Sequence, residues 1–183
     1  VESIDPKSVS FANADGSDSL EGDLVLVATG RTPNTKGLGL EELGLDIDPR
    51  GGVRADDRGA TNVPGLWVAG DVTGQAWLAH AASRMAEVVV HNMTGRPDRM
   101  RYDKMPAVVY TSPEVAVVGW TKEEAEARGL KVKTGRIPMA INARYLAENP
   151  DESGLCKVVL EAETNRLLGC LLYTSDAADE VVS

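Results

Sequence analysis

Residues 61–71 run Thr61-Asn62-Val63-Pro64-Gly65-Leu66-Trp67-Val68-Ala69-Gly70-Asp71. Asn, Pro and Gly in succession set a turn. Leu66-Trp67-Val68-Ala69 then shows no polar alternation, which predicts a short strand buried on both faces, closed by Gly70-Asp71. Just downstream, Leu78, Ala81, Ala82, Met85, Val88, Val89 and Met93 recur near a period of 3.6, which predicts an amphipathic helix over residues 78–93. Gly95 and Pro97 end it. A strand, a Gly-Asp stop and a helix start are what an α/β layer presents where ligands bind, beyond the carboxyl ends of its strands.

Upstream, Leu24-Val25-Leu26-Val27-Ala28 is a second continuous apolar run, again predicted to be a buried strand. It stops at Thr29-Gly30-Arg31-Thr32-Pro33-Asn34. Residues 8–11 read as a short strand before turn chemistry at Asn13-Ala14-Asp15-Gly16-Ser17. Residues 41–44 suit one helical turn, and 51–55 a short strand. Downstream of the helix, charges dominate residues 96–104, which predicts an exposed linker at a domain boundary.

The remainder has a different rhythm. Residues 107–110 and 115–119 read as strands around a Ser112-Pro113 turn. Thr121-Lys122-Glu123-Glu124 is a capping box, and Gly129 suits the far end of that helix. Residues 131–137 are a strand, and 155–161 with 166–168 a hairpin across Thr164-Asn165. This order predicts an α+β layer, a sheet covered by a helix.

Composition narrows the function classes. The chain has 183 residues, 43% hydrophobic and 26% charged, which is globular rather than disordered. The net charge of −9, without a basic cluster, argues against a nucleic-acid partner. No apolar run approaches the length needed to span a bilayer, and no signal peptide is visible, so no membrane partner and a cytoplasmic location are expected. Two cysteines make neither a disulfide framework nor a zinc cluster, and no metal is expected.

The chemistry is expected at the two strand ends, Ala28-Thr29-Gly30-Arg31 and Ala69-Gly70-Asp71. Gly30 and Gly70 lack a Cβ and let a ligand approach the backbone. Asp71 would offer a carboxylate to a sugar or polyol hydroxyl. The helix start near Leu78 would turn free amides and a positive dipole end toward developing negative charge. Each feature alone is more often structural; together they favour a cofactor crevice. His80 and His91 have no nucleophile or carboxylate at a telling spacing, which favours packing or surface roles. Cys156 in a strand reads as a small core residue. Glu123, Glu124 and Glu126 read as a solvated helix face, and Trp67, Trp77 and Trp120 as scattered core or interface anchors.

These strings carry a resemblance. Residues 23–34, Asp-Leu-Val-Leu-Val-Ala-Thr-Gly-Arg-Thr-Pro-Asn, are similar to the string leaving the NAD-binding domain of the flavin-dependent pyridine nucleotide–disulfide oxidoreductases. Residues 61–71 resemble that family's second flavin motif. Tyr110-Thr111-Ser112-Pro113-Glu114-Val115-Ala116 and Val118-Gly119-Trp120-Thr121 resemble the opening of its dimerisation domain. Gln75-Ala76-Trp77-Leu78-Ala79-His80 is most similar to the dihydrolipoamide dehydrogenases; mercuric or glutathione reductases are the alternative within the family.

The resemblance implies a fold: α/β plus α+β, the end of an NAD/FAD-binding Rossmann-like region followed by an α+β dimerisation domain. It implies segments at 1–30 (end of the NAD-binding domain), 31–104 (FAD-binding and central) and 105–169 (truncated dimerisation domain). It implies FAD and NAD as cofactors. Asp71 with Gly70 would face the ribityl chain of FAD, and Leu78, Ala79 and His80 at the helix start the flavin's pyrimidine edge. Ala28, Thr29, Gly30 and Arg31 would line the NAD side. The implied partners are a second copy of the chain, as a homodimer, and lipoyl domains of a 2-oxoacid dehydrogenase or glycine cleavage complex. The implied reaction oxidises dihydrolipoamide and reduces NAD through FAD and a redox-active cysteine pair.

Several family features do not occur in this sequence. The amino-terminal Gly-x-Gly-x-x-Gly flavin motif, the NAD motif, the redox cysteine pair and the His-Glu acid–base pair are all absent. The sequence is therefore expected to be a central-to-late piece of an enzyme, cut at both ends, with no catalytic residue of its own and no turnover in isolation. A dimerisation module acting without catalysis is the reading from another class. Residues 170–180, Cys-Leu-Leu-Tyr-Thr-Ser-Asp-Ala-Ala-Asp-Glu, match the in-frame translation of a transposase sequencing adapter, so 170–183 are expected to be a non-native tail.

Overall fold

A computed structural model of the chain describes residues 1–150 and 154–173. The chain divides into two compact units, Val1–Thr32 and Pro33–Ser183.

In the first unit, β1 (Ser3–Asp5), β2 (Ser8–Asn13) and β3 (Gly16–Glu21) form an antiparallel meander. The expected turn at 13–17 closes the β2–β3 hairpin. Gly16 takes a positive φ of 128° opposite Asn13, and the Asn13 side-chain oxygen accepts the Asp15 amide at 2.9 Å. β3 is exposed along its whole length, so it carried no hydrophobic signal to read.

The buried strand expected at residues 24–28 does not form. The segment carries no regular secondary structure and no pairing, and Leu24 and Leu26 are 85% and 83% exposed. An apolar run becomes a doubly buried strand only when neighbours supply hydrogen bonds on both edges and cover on both faces, and no described strand pairs with it.

In the second unit, residues 33–77 are organised by turns. Asp48 and Asp56 each fold their carboxylate back onto two following amides, Arg50 with Gly52 and Arg58 with Ala60, at 2.7–3.0 Å. Residues 41–44 form the expected turn, with the Gly44 amide on the Glu41 carbonyl at 2.9 Å. The strands expected at 51–55 and 66–69 are each reduced to a single bridge, Ile47 with Val53 and Ala60 with Trp67. Residues 66–69 are half-buried and hemmed in by the Pro64-Gly65 turn and by Gly70 at φ 86°. Four residues between two turns leave no room for a longer ladder.

The expected helix is present as α1 (Ala79–Met93). Ala81, Met85 and Val88 are buried along one face and pack with Met100. The apolar stripe ends early, since Met93, its last expected member, is 61% exposed. Residues 96–104 are mostly exposed, as expected, but are pinned at two points. Met100 is 6% exposed, and its amide bonds the Asp57 carbonyl at 2.6 Å. Tyr102 packs beside it. The charges that suggested solvent alternate with these two apolar anchors.

The last part is a five-stranded antiparallel sheet in the order β4-β5-β8-β7-β6. Its strands are β4 (Ala107–Val109), β5 (Val115–Gly119), β6 (Val132–Pro138), β7 (Leu155–Glu161) and β8 (Leu167–Tyr173). Helix α2 (Lys122–Ala127) packs on β6. Its capping box forms as expected: the Glu124 amide donates to the Thr121 hydroxyl at 3.1 Å, and the Thr121 amide to the Glu124 carboxylate at 2.9 Å. A short helix α3 (Ala143–Glu148), capped by Asn142, escaped the sequence reading because six residues carry almost no periodic signal. β8 runs from Leu167 to Tyr173 and so crosses residues 169 and 170 without a break. Residues 174–183, the rest of the expected tail, lie outside the described residues. Among the described residues, no helix is long and apolar enough to cross a membrane.

Candidate functional site

The second unit brings five of the expected site residues into one short stretch. Gly70 sits at φ 86°, ψ −159°, a conformation held almost only by glycine. Its amide donates to the Met85 sulfur of α1 at 3.1 Å, inside the core. Its carbonyl accepts the hydroxyl and the amide of Thr73 at 2.8 and 3.1 Å. Thr73 is 4% exposed. The Val72 carbonyl accepts the Val53 amide at 3.0 Å, and a Cβ on Gly52 would lie 2.8 Å from the Thr73 carbonyl. Gly52 and Thr73 therefore brace the Gly-Asp turn, although neither stood out in the sequence.

The result is a fixed backbone with an exposed side chain. Asp71 begins a 3-10 turn over Asp71–Thr73 and is exposed, with no side-chain hydrogen bond among the described residues. A carboxylate so placed has its acceptor sites open to hydroxyl donors. Leu78 is the N-cap of α1, and no side chain caps that end. The first-turn amides, beginning at Ala79, are left for solvent or a ligand, together with the positive dipole end.

His80 lies exposed in that first turn. Its Nε2 is 2.7 Å from the Pro106 carbonyl, ahead of β4. A carbonyl only accepts, so this contact requires the proton on Nε2 and leaves Nδ1 as the open nitrogen. His80 therefore ties the helix start to the entry of the sheet.

Ala28, Thr29, Gly30 and Arg31 lie in the first unit as exposed, unpaired chain. Gly30 has φ 102°, and nothing lies within 4 Å of where a Cβ would stand. The four residues are open to a ligand, but in a different compact unit from the Gly70–His80 stretch.

Two constellations were not visible in the sequence. Asp98 bridges α1 and the chain after it: it accepts Arg84 at 2.7 Å on one oxygen and faces His91 Nδ1 at 2.7 Å on the other. His91 thus has a carboxylate partner seven residues on, a spacing that means nothing until the chain turns back at Gly95. Arg84, then His91, hold the Asp98 carboxyl far below the ordinary carboxylate range. A depressed pKa means stability that is complete above the unfolded value and lost as pH falls toward the folded one. Asp98→Asn is expected to flatten the acid limb of a melting-temperature profile recorded below about pH 4, the ordinary carboxylate range. An unchanged acid limb would remove this role.

The second constellation is Cys156 on β7 and Cys170 on β8, with sulfurs 3.7 Å apart and both thiols free. Burial first, then the neighbouring thiol, pushes Cys170 up to about 11. They are diagonal neighbours, since Cys156 faces Leu172 and Cys170 faces Val158. Only the hairpin register could have revealed that.

The chain is a mixed α/β segment, with an exposed Asp71 beside an uncapped helix start, followed by a sheet-forming domain. The family described as pyridine nucleotide-disulphide oxidoreductase matches residues 1–86, and its dimerisation domain matches residues 105–183. The chain belongs to the pyridine nucleotide-disulphide oxidoreductase family, whose enzymes are oxidoreductases using FAD and NAD.

Among curated relatives, dihydrolipoyl dehydrogenase 3 of Pseudomonas putida is 44% identical over 164 residues, covering 90% of this chain and 35% of that protein. Human mitochondrial dihydrolipoyl dehydrogenase is 36% identical over 174 residues, covering 95% and 34%. Leghemoglobin reductase of Glycine max is 39% identical over 160 residues, covering 87% and 30%. The chain thus spans about a third of the length of the curated relatives it matches. Among solved structures, LpdA of Mycobacterium tuberculosis superposes with a TM-score of 0.76 at 27% identity, covering 93% of this chain and 37% of that one. The flavoprotein disulfide reductase RclA of Escherichia coli gives 0.72 at 28%, covering 96% and 40%.

Proposed function

We propose that this chain is the central-to-late part of a dihydrolipoamide dehydrogenase, and that its own contribution is to hold FAD. The observation that carries the reading is the Gly70-Asp71 turn, braced from three sides with its carboxylate open, beside the uncapped start of α1. The donor set fits FAD: a free carboxylate suits the ribityl hydroxyls, and helix-start amides suit the polar pyrimidine edge. Bound FAD would supply two-electron transfer between a dithiol and NAD.

In this reading Asp71 accepts a hydroxyl; Gly70 is buried with both backbone groups engaged, so it fixes the turn rather than opening its backbone to the ligand. Leu78, Ala79 and His80 present the helix start, whose dipole favours negative charge on the reduced ring. Ala28, Thr29, Gly30 and Arg31 line the NAD side. Relatives named dihydrolipoyl dehydrogenase support this substrate over those of mercuric or glutathione reductases. The dimerisation-domain match supports a homodimer. Lipoyl domains of a 2-oxoacid dehydrogenase or glycine cleavage complex are the partners this substrate implies. A cytoplasmic location is part of this reading.

The division proposed is 1–30, 31–104 and 105–169, with 170–183 set apart as non-native. The pairing of β8 across Gly169 does not separate native from accidental residues, because an apolar run beside a strand edge pairs whatever its origin. Native genomic reads running through Gly169 into the following codons would overturn that part.

The test is flavin reconstitution followed by absorbance. In flavin titration, Asp71→Ala is expected to bind FAD about tenfold more weakly than the unmodified chain, the value of one charge-assisted hydrogen bond. Equal binding by the variant would sink the assignment of Asp71. Lipoamide-dependent NADH turnover is expected to be absent, because the only cysteines are 156 and 170 and the only histidines 80 and 91. Measurable turnover would contradict the reading.

A further inference from the structure

The geometry points to a second binding site, for a small polyphosphate, in the cleft between the end of α1 and the start of β4. This cleft has a volume of about 810 Å³ and is lined by Arg58, Arg84, Arg96, Arg99, Arg101 and Lys104. That volume lies within the range of small-molecule sites. Six cations in one cleft stand out on a chain of net charge −9.

Not all of this charge is available. Arg84 is engaged by Asp98 and Glu87, Arg99 by Asp57 and Arg58 by Asp56, at 2.7–3.2 Å. The Asp98 carboxylate in the wall is itself covered by Arg84 and His91. Arg96, Arg101 and Lys104 are exposed and have no acidic partner among the described residues. Arg101 and Lys104 also line a neighbouring cavity of about 630 Å³.

The opposing effect is the carboxyl end of α1, worth roughly half a negative charge. Its last carbonyls are already occupied by the Thr94, Gly95 and Arg96 amides at 2.8–3.2 Å. Asp103, between Arg101 and Lys104, lines only the neighbouring cavity, so within this cleft the three unpaired cations outweigh the helix end. The field therefore favours a compact ligand carrying several negative charges. A polyphosphate matches cations set around a cleft better than an extended acidic chain, which tracks a surface.

The experiment is calorimetric titration of the full chain with inorganic tripolyphosphate at low salt. Saturable binding is expected, weakening as salt rises. Arg101→Ala with Lys104→Ala is expected to weaken it by at least about tenfold, and a control of equal charge change, Lys36→Ala with Lys133→Ala, to leave it unchanged. Far-ultraviolet circular dichroism confirms that both variants fold. Absence of binding, or equal weakening in the control, would overturn the site. Tighter binding of a polyglutamate peptide than of tripolyphosphate would overturn it in favour of an acidic protein segment.

Discussion

Gly119→Ala is expected to destabilise the second unit by about 3 kcal/mol, combining left-handed strain with a backbone overlap. Gly119 ends β5 with φ 80°, where any L side chain is strained. A Cβ there would meet the Leu168 carbonyl oxygen and lie 2.8 Å from the Gly169 Cα. Neither atom can move cheaply. Gly119 faces Gly169 across the β5–β8 pair, and the next amide, Trp120, donates to that same Leu168 carbonyl at 3.0 Å. Gly169 is tight in the opposite sense, since its own Cβ would press on the Trp120 backbone.

Urea unfolding followed by tryptophan fluorescence reads the effect. Gly129→Ala is the control: its φ is 79°, but nothing lies within 4 Å of the added carbon. It is expected to cost about 1 kcal/mol, from the backbone alone. Equal midpoints for the two variants would show that the β5–β8 contact carries no weight.

Met85→Ala is the second large effect, expected at about 2–4 kcal/mol. Met85 is 4% exposed at the centre of the α1 core, with Ala81, Val88 and Met100. Truncation leaves a cavity that a helix packed on a turn-rich segment closes only in part. It also removes the sulfur that accepts the Gly70 amide. Met85→Leu separates the two effects. Leucine nearly conserves volume, which alone costs less than about 1.5 kcal/mol. The orphaned Gly70 amide adds about 1 kcal/mol or more, as for any buried donor left unpaired. Thermal denaturation measures stability, and flavin retention measures the turn. If Met85→Leu matched the parent in both, the sulfur contact would have no part in holding Gly70-Asp71.

The sheet domain was largely legible. Strand β5 and the α2 capping box fall at the expected residues because their determinants are local: a run of small apolar residues, and a Thr-x-x-Glu pair that satisfies its own amides. The hairpin was legible for the same reason, through Thr164-Asn165. α1 was legible because its apolar period is long. The candidate site was half legible. Gly70, Asp71 and the helix start are sequence features, whereas the bracing joins Gly70 to Met85, 15 positions away, and Thr73 to Gly52, 21 positions away.

By itself, the sequence determined which segments can be strands, turns or a helix, and which residues carry chemistry that suits a flavin. Such properties depend on side chains and neighbours within a few positions. Only the tertiary structure decided that residues 24–28 stay unpaired, that 66–69 make one bridge, and that Asp98 and Met100 dock on α1. It alone placed Asp98 between Arg84 and His91, and Cys156 beside Cys170. The physical reason is the same throughout. Burial and pairing need a partner surface, and a sequence states the appetite of a segment without saying whether the chain brings that surface to it.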